Sequence, residues 1–168
     1  MIGRSEIYIK WLLYALATAA LFILQDLLQD LRLLGVLPFL YPVMAAALSM
    51  YEGAFAGTVY SLVLGVVCDL LLPGPIPCFY TLIFPLAGLC AGLMARNWLP
   101  AGFPCCLATS ALAFVLTDAF HCLLLSFDGG FSTAALLTAA AETGLTLCFS
   151  PVVLLLFRPI YRKCHLDD

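Results

Sequence analysis

Asp69, Asp118 and Glu142 sit deep inside apolar runs, with no Lys or Arg near them in sequence. A carboxylate in hydrocarbon costs at least ~2.5 kcal/mol on insertion scales. Such groups face a protein interior, where they bind a ligand, an ion or a partner, or act as polar glue between helices. His121 extends the set: Thr117, Asp118 and His121 share one side of a helix at i, i+3 and i+4 spacing. The purely structural alternative pairs Asp118 with His121 and holds Glu142 protonated against Thr138 or Thr146. Glu52 falls at a loop and reads as a solvated carboxylate.

Paired acids in a membrane could also cleave peptides. However, G-x-G-D, G-x-S-G and H-E-x-x-H are all absent. Ser and Thr are plentiful but have no recognisable base. His121-Cys122 lacks the further ligands a metal needs. The eight cysteines form no C-x-x-C pair and read as small buried hydrophobes, except that Cys164, in the basic tail, suits S-palmitoylation. No GxxxxGK[ST] or dinucleotide fingerprint appears. The chain therefore reads as non-enzymatic, with no catalytic residue, no cofactor and no metal.

Positioning these acids falls to membrane helices. The 168 residues are 64% hydrophobic and 10% charged, with a mean hydropathy of +1.10. At about 20 residues per span, six helices fit, at about 8–28, 34–51, 54–72, 79–95, 104–127 and 133–157. The expected fold class is an all-α integral membrane protein, with 1–168 as one polytopic domain and no soluble head. Asp26, Asp30 and Arg32 fall in the first loop. Pro42 is expected to kink or fray the second run. Pro73 to Pro77 make a rigid turn, 128–130 another, and the last span ends at Arg158-Pro159. With six spans, Arg4, Lys10, Arg96, Arg158, Arg162 and Lys163 share one side and only Arg32 is opposite. That places both termini in the cytoplasm. Five spans would split the cations.

Seams of small and polar residues mark the helix contacts. The third run carries Gly53, Gly57, Ser61 and Gly65 at four-residue spacing and ends in Asp69. The fourth adds Gly88 and Gly92. The sixth has Thr138, Glu142, Thr146 and Ser150. Small residues let backbones approach closely. The third, fifth and sixth helices are expected to meet around a polar pocket, with Asp69 and Asp118 at similar depth and Glu142 slightly deeper. Thr117 is a candidate donor to Asp69.

Pro38-Phe39-Leu40-Tyr41-Pro42, Tyr51-Glu52-Gly53 with Gly57, and Gly65-Val66-Val67-Cys68-Asp69 are the most distinctive stretches. Together with the Gly88 and Gly92 helix and the basic tail, they make the chain resemble the rod shape-determining MreD family over nearly its whole length. One departure is the absence of the Leu-Gly often found after the third-helix loop, where this chain reads Ile76-Pro77-Cys78-Phe79. The resemblance implies a scaffold of the cell-elongation and peptidoglycan-synthesis machinery in the bacterial cytoplasmic membrane. It implies an MreC-like bitopic partner, with MreB, RodA and a class B penicillin-binding protein nearby, and no nucleic acid. The family also resembles, at fold level, the substrate-binding S components of energy-coupling-factor vitamin transporters, which supply the alternative reading.

Overall fold

The computed structural model describes residues 4–31, 38–72, 74, 76–127 and 133–165. Among these there are five helices and no strand: α1 (Arg4–Leu31), α2 (Tyr41–Leu71), α3 (Phe79–Asn97), α4 (Phe103–Phe127) and α5 (Thr133–His165). All five are long and apolar enough to cross a membrane. Helices are what such a sequence must form there, because hydrocarbon offers no partner to an open backbone N–H or C=O.

α2 is one helix in name only. Gly53 within it has φ 85° and ψ 174°. That conformation is essentially restricted to glycine. Nothing lies within 4 Å of where a Gly53 Cβ would stand, so backbone geometry and not space demands glycine here. The chain doubles back at this residue. A methyl on Gly57 would fall on the backbone of Ser49, and one on Gly88 would meet both the Ser61 and Ser49 hydroxyls. Both ends of α2 also come near Tyr80: Phe39, just before α2, stands edge-on to Tyr41 with ring centroids 5.2 Å apart and 5.7 Å from Tyr80, and Asp69 accepts a bond from the Tyr80 amide. In a straight helix Tyr41 and Asp69 would stand about 42 Å apart. α2 is thus a hairpin, with a short arm (41–52) and a long arm (54–71).

The short arm is the pillar of the bundle. Every residue from Tyr41 to Tyr51 is buried. A helix apolar on all sides belongs in the centre, and Ala45, Ala46, Ala47 and Ser49 keep it slim enough to be surrounded. α3 packs on the long arm through the expected glycines. A methyl on Gly65 would stand 2.6 Å from the Tyr80 carbonyl oxygen, and one on Gly92 would strike the Ala54 backbone. α1 touches the rest along one stripe of Tyr14, Ala17, Leu21, Gln25 and Leu28. Its outer face, including Leu16 and Ile23, stays exposed. An apolar groove of about 680 Å³ separates it from the long arm, bridged by a 2.7 Å Thr18–Tyr60 hydroxyl contact.

Several expected boundaries are corrected. α1 continues through Asp26 to Leu31, because Gln25 and Leu28 are still packed there. The second run is helical only from Tyr41. Pro38 to Leu40 are non-helical, and 34–37 lie outside the described residues. Pro42 does not kink the helix, because it occupies the first turn, where a missing N–H costs nothing. α5 passes Arg158 and Pro159 and runs to His165. The stacking of Tyr161 on Tyr51, 4.9 Å between rings, holds that extension. Arg32, Pro73, Pro75, 128–130 and the side chains of Arg4, Asp30 and Cys164 lie outside the described residues.

The two ends of the bundle differ in charge. The Gly53 bend, the start of α1, the end of α3 and the end of α5 share one end. Lys10 meets Glu52 there at 2.5 Å, and Tyr14 donates to the same carboxylate at 2.7 Å. Glu52 is therefore paired and half-buried, not freely solvated. Arg96, Arg158, Arg162 and Lys163 lie toward this end as well. Asp69, Asp118 and Glu142 lie toward the other.

Candidate functional site

At the acidic end, the long arm of α2 stops beside the start of α3. The N-cap residue of α3, Cys78, gives no side-chain cap. Asp69 supplies it from the neighbouring helix. Its Oδ1 accepts from the Tyr80 amide at 2.9 Å. Its Oδ2 accepts from the Thr81 amide at 2.8 Å and the Thr81 hydroxyl at 2.5 Å. These are first-turn amides, which have no partner within their own helix. A carboxylate placed there also faces the positive end of the helix dipole. Asp69 thereby gains the donors that a membrane acid needs, without a cation and without Thr117, whose hydroxyl bonds the Ala113 carbonyl at 2.9 Å.

A cavity of about 430 Å³ opens next to this latch. α4 contributes Thr117, Asp118 and His121, and α5 contributes Glu142. Aromatic rings of Phe39, Phe79 and Tyr80 form the opposite wall. Asp118 Oδ2 accepts a long 3.2 Å bond from Thr143 Oγ1. The His121 ring stands edge-on to Phe79, with centroids 6.3 Å apart. Asp118 and Glu142 are half-buried and His121 is exposed. The structure thus brings together three of the four expected polar residues. Asp69 stays outside the lining, although a methyl on the lining residue Gly74 would come within 3.9 Å of its Oδ1.

The polar seam of α5 is used differently from the expectation. Thr146 does not serve the Glu142 carboxyl. Its hydroxyl donates to the Glu142 backbone carbonyl at 2.7 Å and accepts the Phe39 amide at 2.9 Å. It therefore fixes the non-helical segment that carries the aromatic wall. Gln25 does the same from α1, donating to the Pro38 carbonyl at 2.5 Å and accepting from the Leu40 amide at 2.9 Å. A non-helical backbone inside a membrane bundle needs such partners. Sequence reasoning missed Gln25 and Thr81. The available signals were an amide in an otherwise apolar stripe and a hydroxyl at the third position of a helix.

The chemistry on offer is recognition. Two carboxyls and an imidazole converge beside aromatic rings, which suits a ligand carrying donors or positive charge. Among the described residues, no group of three His, Cys, Asp or Glu could hold a metal ion. The described cysteines are free, and three of them (Cys68, Cys105 and Cys106) are buried. No protein-family model, curated protein or solved structure matches this chain.

Proposed function

We propose that this chain is a non-enzymatic scaffold of the bacterial cell-elongation machinery, of the MreD kind, with six spans and both termini in the cytoplasm. One observation carries the reading. The residues on which the resemblance rests are the ones that build the centre of the bundle. Pro38 to Pro42 lead into the buried arm, Gly53 makes the bend, Gly57 and Gly65 seat the arms and α3, and Asp69 latches them. The reading thus rests on residues with structural roles and not only on hydrophobic composition. The hairpin at Gly53 supports six crossings over five, and the gathering at one end of Lys10, Arg96, Arg158, Arg162 and Lys163 supports the positive-inside orientation.

The decisive experiment is depletion in the source cell together with affinity purification of the full chain. The scaffold reading expects rod-shaped cells to round up and an MreC-like bitopic protein to co-purify. Normal shape with no such partner would end it. The acid-lined cavity favours a second reading, an S component of a vitamin transporter. That reading expects a retained small molecule and an ATPase module in the same purification. Topology is tested separately by labelling single cysteines placed at the C-terminus of a chain lacking native cysteines. Strong labelling from outside would remove the six-span arrangement.

A further inference from the structure

At the end opposite the acids, a groove of about 600 Å³ lies between the last turns of α5, the start of α4 and the Gly53 bend. Leu155, Arg158 and Arg162 line it from one face of α5 at i, i+3 and i+7 spacing. Leu155 is 73% exposed, and both arginines are exposed. Across from them stand Tyr51, which is stacked on Tyr161, and the first residue of α4, Phe103. Among the described residues, no carboxylate lines the groove. The first turn of α4 directs the positive end of its dipole into the same space.

We propose that this groove binds one anionic phospholipid. Its headgroup phosphate lies between Arg158 and Arg162, and an acyl chain lies along Leu155. Three features favour a lipid over a soluble anion or an acidic protein segment. The two guanidiniums sit at the end of a membrane helix, about 24 Å of helix from Glu142, where headgroups lie. The apolar floor continues from the arginines toward the bilayer interior through Leu155 and Pro151. An exposed leucine directly beside two arginines suits an amphiphile and not a free ion. The assignment does not depend on the scaffold reading.

Native mass spectrometry of the full chain in detergent tests it, with phosphatidylglycerol and phosphatidylcholine of matched acyl chains supplied together. The wild type should retain one phosphatidylglycerol in preference to phosphatidylcholine, and millimolar inorganic phosphate should not displace it. Arg158→Gln with Arg162→Gln should weaken retention by about 30-fold, whereas Arg158→Lys with Arg162→Lys should keep most of it. The lysine variant keeps the test informative if the glutamine variant folds poorly. Equal retention of the two lipids by the wild type would overturn the proposal. So would undiminished retention after charge removal, displacement by inorganic phosphate, or displacement by an acidic peptide.

Discussion

Asp69 and the Asp118–Glu142 pair are the same chemistry in two different settings. Asp69 meets three donors from a single helix start, at 2.5 to 2.9 Å. Asp118 has the 3.2 Å Thr143 bond, and both Asp118 and Glu142 front a cavity. A carboxylate in a membrane protein becomes structural when the fold supplies donors for it. It stays available for recognition when the fold leaves space around it. Residue type and depth do not distinguish the two, because both are set before the helices are arranged.

The strongest way to break the contrast is to remove the contact that brings the donors to Asp69. Gly65→Leu should abolish most folded protein, because the backbones of α2 and α3 meet at that point. Fluorescence-detected size-exclusion chromatography in detergent would register the loss. Wild-type abundance of that variant would mean the latch does not depend on the glycine seam.

Asp69→Leu comes next. It strands three donors, and we expect a cost of about 3 kcal/mol or more, since each unmet buried group costs about 1–3 kcal/mol. Asp69→Asn should be intermediate, at about 1–2 kcal/mol, because its NH₂ would face an amide that also donates. Thermal unfolding of the purified variants ranks them. A neutral Asn variant would show that the second oxygen of the latch is dispensable.

Asp118→Asn and Glu142→Gln should shift stability by less than about 1 kcal/mol, since neither group is held by a comparable set of bonds. Their effect should fall on complementation of a depleted strain or on ligand retention. If Glu142→Gln unfolded the protein more readily than Asp69→Asn, the two settings would have been assigned the wrong way round.

The smallest effect is expected at Ser61, whose buried hydroxyl has no hydrogen-bond partner among the described residues. Ser61→Ala should leave stability unchanged or raise it by up to about 1 kcal/mol, read as a higher melting temperature. A clear loss would mean the stripe beneath Asp69 carries a polar contact as well as close packing.

Much of this was legible from residues alone. Membrane helices follow from the hydropathy, but Gly53, expected as the first member of the packing stripe, instead makes the bend, with nothing within 4 Å of where its Cβ would stand. Gly57, Gly65, Gly88 and Gly92 were readable as a seam because small residues at four-residue spacing have few other uses in lipid. Asp118 and Glu142 were readable as sharing a polar pocket, though Asp69, expected beside Asp118 at similar depth with Glu142 slightly deeper, does not line it. The boundaries of α1 and α5 were less legible. Asp26 and Pro159 look like helix ends, but Leu28 and Tyr161 still find partners beyond them.

The amino-acid pattern by itself determined that this protein is helical, with helices long and apolar enough to cross a membrane and packed through small residues, since each follows from local composition and period. Only the tertiary structure decided what each buried acid does. Asp69 became a cap because α3 begins beside it, Glu52 became half of an ion pair because Lys10 arrives from α1, and Thr146, one turn past Glu142, came to hold the Phe39 amide while the Glu142 carboxyl fronts a cavity. Those partners lie 11, 12, 42 and 107 residues away in the chain. No local period carries that information, because a hydrogen bond depends on where a donor is in space and not on how far along the chain it was made.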